Sequence, residues 1–300
     1  MTMKTSVIRG ALAAVSALAM AAAVTAGTAF AGPADDPANW RKVDLGNVLQ
    51  LTINRQDVLI ELRPDFAPNH VAQVKKITRA GHYDLLPFHR VIDDFMAQGG
   101  EVSAVYMLST PYPTLKAEFT FRRDPAKTPV QWFGKAASGD NVGYLDGFIV
   151  HGQPDEAADL MADHKVDTWA IHCPGIASMA RSNDPDSADT QFFLMRQSHE
   201  ALDKTYTIWG RALVGLDVIR GIKAGPEDKD GRLDPGEADK LGKAQLVPDI
   251  KSFTKPTAIY VQRTDGPMFA AALEAAKASS ADAACNLPPV QVIVERPPSE

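Results

Sequence analysis

The chain has 300 residues, 45% hydrophobic and 23% charged, with 31 Lys and Arg against 37 Asp and Glu, a formal net charge of −6. That length suits one large domain or one domain with additions. The acidic balance and the lack of a basic cluster exclude nucleic acid as an expected partner, since such binding needs clustered cations to neutralise phosphates.

Met1 to Ala31 carries Lys4 and Arg9 and no acid, then an Ala/Leu/Val-rich run, then Ala29-Phe30-Ala31. This reads as a cleaved export signal with a small-x-small cleavage site. Its removal leaves 29 cations against 37 anions, a charge of −8. The mature protein is expected to be periplasmic or secreted, with no membrane contact. Val48–Ile53 and Val58–Leu62 read as two strands across a turn at Asn54–Asp57. Pro68 fits a first helical position, Val71, Val74 and Ile77 recur on one face, and Gly81 supplies a stop, so 68–80 is expected to be a helix.

Phe88-His89-Arg90-Val91-Ile92-Asp93-Asp94-Phe95-Met96-Ala97-Gln98-Gly99-Gly100 follows, an apolar run with His89, Arg90 and Gln98 embedded in it. At period two Phe88 and Arg90 face one way and His89 and Val91 the other. Asp93-Asp94 then turns the chain so that Phe95, Met96 and Gln98 return beside Arg90. Residues 101–169 read as inserted packed structure, with Trp132-Phe133 and Gly143–Val150 in it, either a lid or a thickening of the scaffold. A second block runs Gly175-Ile176-Ala177-Ser178-Met179-Ala180-Arg181, then Asp186 through Gln191-Phe192-Phe193-Leu194, and a third runs from Leu202-Asp203 through Tyr206 to Gly210. Beyond Ile222, the stretch Asp228, Asp230, Gly231, Asp234, Glu237 misses a calcium-loop spacing because Pro226 replaces the first ligand, so it reads as a solvated acidic loop. Gly266-Pro267 opens an Ala-rich helix, and Ala258–Val261 and Val290–Val294 compete as a closing strand.

These three blocks, in this order, resemble the cyclophilin-type peptidyl-prolyl cis-trans isomerases from Leu49 to Ile222. The resemblance implies a mainly β fold, a closed eight-stranded antiparallel barrel capped by two helices, Pro68–Ala80 and about Leu216–Ile222. The isomerase domain would span 32–300, with an insertion at about 101–169, of which Leu115–Phe119 is a fragment shared with the family, and a C-terminal extension at about 223–300. It also implies a monomer that binds proline-containing unfolded or extended chains and assists the folding of exported proteins. The rival reading is a peptide-binding or chaperone module of the same fold with little turnover.

The site follows from the same positions. An amide before proline is planar by resonance, with a rotation barrier of about 18–20 kcal/mol, and no covalent bond need change to turn it. In the twisted state its nitrogen regains a lone pair, and a fixed guanidinium donating to that nitrogen binds the transition state in preference to the ground state. Arg90 is the residue for that role, with Gln98 orienting it and His89 giving shape rather than proton transfer. Phe95, Met96, Phe193 and Leu202 match the family's proline pocket, Tyr206 closes it where some relatives have His, and the backbone at Ala180 and Arg181, beside Gln191, aligns the peptide. Ala201 stands where many cyclophilins have a Trp that meets cyclosporin, which implies weak inhibition. No cofactor or metal is expected, because redox, zincin, phosphate-loop and serine-elbow motifs are missing and His151, His164 and His172 lack a ligand spacing. Cys173 and Cys285 are the only cysteines, and export would place them in an oxidising compartment as a disulfide.

Overall fold

A computed structural model describes residues 32–104, 112–252, 254–277, 285 and 289–298. The expected export signal, 1–31, lies outside them. Eight antiparallel strands form the main sheet: β1 (Val48–Ile53), β2 (Gln56–Leu62), β3 (Arg90–Val91), β4 (Met96–Gly99), β5 (Ile176–Met179), β6 (Phe192–Met195), β7 (Ile208–Val214) and β8 (Leu241–Leu246), in the order β8-β1-β2-β7-β5-β6-β4-β3.

The opening hairpin forms as expected, Val48–Ile53 pairing with Gln56–Leu62. Leu49, Leu51 and Ile53 of β1 join Val58, Ile60 and Leu62 of β2 on the inner face, packed under Val71, Val74 and Ile77 of helix α1 (Pro68–Arg79) and Ile219 of helix α2 (Leu216–Arg220). β2 is buried on its outer face too, where Leu59 meets Val43, Ile259 and Val261. There a second sheet of Trp40–Lys42, Ala258–Gln262 and Val292–Glu295 lies, so the two stretches that compete as a closing strand pair with each other instead. The place beside β1 is taken by β8, from beyond Ile222.

The expected closed barrel is overstated. The curled sheet ends in β8 on one side and β3 on the other, and these two do not pair as strands. β3 is two residues long, and the gap is crossed by separate backbone bonds: Leu85 N–H to the Leu241 carbonyl (2.7 Å), Phe88 N–H to Asp239 (2.9 Å), Leu233 N–H to His89 (3.0 Å) and Val91 N–H to Gly231 (2.8 Å).

Residues 121–170 build a third, five-stranded sheet in the order Phe121–Arg123, Val166–Ala170, Phe148–Gly152, Asn141–Leu145, Gln131–Lys135. Its Leu145, Phe148, Val150 and Ala170 share one apolar cluster with Met96, Ile176, Phe193 and Met195 of the main sheet. This five-stranded sheet therefore backs the strands that carry the expected pocket. Cys173, at the edge of this cluster, is joined to Cys285 by a disulfide with Cα atoms 5.3 Å apart. Leu115–Phe119 ties α1 down, since the Glu118 carboxylate accepts from the N–H groups of Asn69 and His70 (3.2 and 3.1 Å) and lies 2.7 Å from His70 Nδ1. Burial alone would raise that carboxyl, but these bonds at a helix N-terminus outweigh it and hold it below the ordinary carboxylate range.

Candidate active site

The site rises from a row of residues that register sets side by side. Arg90 of β3 lies opposite Gln98 of β4, Gln98 opposite Phe193 of β6, and Phe193 opposite Ser178 of β5. Directly opposed residues on antiparallel strands share a face, so guanidinium, amide and aromatic ring line up on one side of the sheet. Gly100 ends β4 at φ +79°, where a Cβ would come within 2.7 Å of the Phe192 ring and 3.0 Å of the Thr190 carbonyl, which explains the glycine after the row.

Phe88 does not share a face with Arg90, as strict alternation requires. Phe88 and Val91 both enter the main core, and His89 and Arg90 both border the site. The cause is that β3 begins only at Arg90, so period two does not extend back to Phe88.

A cavity of about 490 Å³ opens over this row. It is lined by all eleven residues expected from the sequence: His89, Arg90, Phe95, Met96, Gln98, Ala180, Arg181, Gln191, Phe193, Leu202 and Tyr206. Glu101, Asp230 and Arg232 also line it. Sequence reasoning missed these three, and for Asp230 and Arg232 the one available signal was the glycine beside them in an acidic stretch. Among the described residues none that lines the cavity comes from the five-stranded sheet, although Glu101 belongs to the 101–169 stretch.

The apolar wall is rigidly backed. The Phe193 ring meets Tyr206 edge-on at 5.5 Å and stacks on His172 at 6.1 Å, while Phe95 packs on His199 at 4.7 Å. His172 is buried between the Asp203 carboxylate (Nδ1 to Oδ1, 2.7 Å) and the Ser178 hydroxyl (3.0 Å from Nε2), a chain behind the pocket in which Ser178 has no solvent access. Arg181 donates to the carbonyls of Thr205 and Ser182, both at 2.8 Å, and its guanidinium lies 4.5 Å over the Tyr206 ring. The Ala180 N–H donates to the Gln191 carbonyl (2.8 Å), which removes one donor from a peptide lying along 180–181.

The polar side departs from expectation in its partners. Gln98 Nε2 donates to Gln191 Oε1 (2.9 Å), so its side chain holds Gln191 and not Arg90. Arg90 is held instead by Asp230: Nε donates to Oδ2 and Nη2 to Oδ1, each at 3.0 Å. The stretch read as a solvated acidic loop thus folds against the site. The hydrogen bonds from Arg90, then its charge, hold the Asp230 carboxyl below the ordinary range. Burial pushes the His89 imidazole below its usual pKa. Among the described residues no three His, Cys, Asp or Glu side chains converge as a metal site. Ala201, exposed in a short turn, does not line the cavity, and Trp132 does not fill its place because it packs under Arg123.

Fold and cavity together define a curled antiparallel sheet with an aromatic-walled cavity that an arginine also lines. A model of the family "Cyclophilin type peptidyl-prolyl cis-trans isomerase/CLD" matches residues 48–241. A probable peptidyl-prolyl cis-trans isomerase of Brucella suis is 34% identical over 246 residues, which are 82% of this chain and all of that one. The isomerase cyp18 of Streptomyces antibioticus is 28% identical over 60% of this chain and 86% of its own. The crystal structure of cyclophilin AquaCyp293 from Hirschia baltica superposes with a TM-score of 0.78 at 38% identity, covering 87% of this chain and 95% of that one. The chain belongs to the cyclophilin-type peptidyl-prolyl cis-trans isomerases, and isomerisation of the bond before proline is its activity.

Proposed function

We propose that the cavity takes X-Pro segments of unfolded or extended chains, with the proline ring against Phe95, Met96, Phe193 and Leu202, and that Arg90 stabilises the twisted amide. The observation that carries this reading is the cross-strand row, which sets the guanidinium at the rim of an aromatic pocket with Gln98 between them. Proline is anchored while the preceding residue rotates, and a donor that finds its acceptor only in the twisted state acts on turnover rather than on binding. If donor and pocket lower the barrier by about 7 kcal/mol, the gain is on the order of 10⁵-fold.

We further propose that the chain acts outside the cytoplasm. The signal-like 1–31 segment supports this, and the Cys173–Cys285 disulfide suits an oxidising compartment. No helix among the described residues is long and apolar enough to cross a membrane. An assay of cis-trans exchange in a proline tetrapeptide tests the site. Turnover well above the uncatalysed rate is expected, and peptide binding without acceleration would favour a holding module. Phe193→Leu keeps the buried volume but removes the ring. It is expected to weaken peptide binding about tenfold, the worth of about 1–1.5 kcal/mol of aromatic contact, with little change in melting temperature. Unchanged affinity would move the proline pocket elsewhere.

The same reading makes cyclosporin a weak inhibitor, because an exposed Ala201 offers no indole. Ala201→Trp is expected to tighten cyclosporin binding roughly 30- to 1,000-fold, the range of a restored aromatic anchor. Tight inhibition of the natural chain would refute this.

A further inference from the structure

The carboxylate on Arg90 comes from a loop built to deliver it. Residues 225–233 are strapped along β3: Gly225 N–H donates to the Val91 carbonyl (2.9 Å), Val91 N–H to Gly231 (2.8 Å) and Leu233 N–H to His89 (3.0 Å). Within the loop, Gly231 N–H donates to the Pro226 carbonyl (2.9 Å) and Asp230 N–H to Glu227 (3.0 Å). Gly231 has φ +72°, and a Cβ there would come within 2.6 Å of both Ile92 Cγ1 and the Val91 carbonyl. Only glycine permits this contact, and it places the preceding residue over the site. Asp230 itself adopts the left-handed conformation (φ 53°), which Asp and Asn tolerate better than other side chains.

We propose that Asp230 is the positioning residue for Arg90: it binds the Nε/Nη2 edge of the guanidinium and so presents Nη1 to the cavity as the donor for the twisted amide. This rests on the reading of Arg90 given above. Besides the two carboxylate bonds, Nε also lies 3.2 Å from the Asp230 carbonyl, so three oxygen contacts fall on one edge of the fork. Among the described residues Nη1 has no such partner. An arginine left free on the rim would lose rotamer freedom on meeting the transition state, whereas one clamped bidentately has lost it already. The clamp also offsets the guanidinium charge beside an apolar pocket. Gln98, the other residue able to orient Arg90, is engaged with Gln191. The Asp230 side chain is 62% exposed, and the backbone bonds that strap the loop do not involve it. Its removal therefore leaves the loop in place.

The test measures kcat and KM for a proline tetrapeptide in the wild type, Asp230→Gly, Arg90→Ala and the double variant, with Asp230→Asn as the conservative change and melting temperature as the control for folding. Gly and Asn both accept the backbone angle of residue 230. Asp230→Gly is expected to lower kcat about 10- to 30-fold with KM within twofold, Asp230→Asn to recover part of the loss, and the double variant to match Arg90→Ala alone. A rise in kcat in Asp230→Gly would show that Asp230 competes for the guanidinium and would overturn the proposal. So would wild-type turnover in Asp230→Gly beside a disabled Arg90→Ala, or a further loss of the same size in the Arg90→Ala background. Full turnover in a folded Arg90→Ala would instead remove the reading on which the proposal stands.

Discussion

Arg90→Ala is expected to lower kcat/KM for proline isomerisation by about 10²- to 10³-fold and to leave the fold intact. A charged donor fixed at the place where an acceptor develops is worth about 2.7–4 kcal/mol in comparable sites, which is the stated range. Stability moves little because the Arg90–Asp230 pair is open to water, with side-chain exposures of 21% and 62%, and such pairs contribute about 0–1 kcal/mol. Arg90→Lys keeps the charge but loses the fork that fits the Asp230 carboxylate, so it should recover less than tenfold of the loss. Steady-state kinetics beside a melting curve decides the matter. A folded Arg90→Ala within threefold of wild type would exclude the guanidinium from the reaction.

Removing the Cys173–Cys285 bond is expected to have the largest effect on stability. The bridge closes a loop with a sequence separation of 112, which in the chain-entropy model stabilises by about 5 kcal/mol as an upper figure. For a chain of this size the loss corresponds to a fall of roughly 10–20 °C in melting temperature. Cys173 packs at the edge of the cluster holding Met96 and Phe193, so the pocket should loosen with it and peptide affinity should fall as the midpoint is approached. Melting curves of the oxidised chain, the reduced chain and a Cys173→Ser/Cys285→Ser variant give the answer. Coincident curves would show that packing alone holds the two ends of the loop.

The opening hairpin and α1 were legible because period and punctuation agree there. Leu49–Ile53 alternates, and Pro68 and Gly81 mark the limits of an amphipathic run, with the helix expected one residue too long. The site residues were legible through their motif blocks, and β-pairing brings Arg90, Gln98 and Phe193 together as those blocks imply. What was not legible was decided by contacts distant in sequence. Four acids and two glycines between 228 and 237 look like a solvated loop, since nothing local to them reveals that Asp230 will meet a guanidinium. Alternation placed Phe88 wrongly because a strand of two residues is too short to impose it. The inserted sheet was legible as packed structure from its aromatics. Its order was not, because Val166–Ala170 lies between Phe121–Arg123 and Phe148–Gly152, a pairing no local pattern encodes.

The Arg90–Asp230 pair also bears on how the protein is made. The two residues are 140 apart in sequence, and β1, the first strand of the sheet, pairs with β8, its last. A chain is delivered from its N-terminus, so until residues 230–246 arrive Arg90 lacks its partner carboxylate and β1 has an open edge. Native pairing must therefore wait for distant segments, an order that makes folding slow. Wherever the chain folds, its site is complete only once residues 225–233 have reached β3.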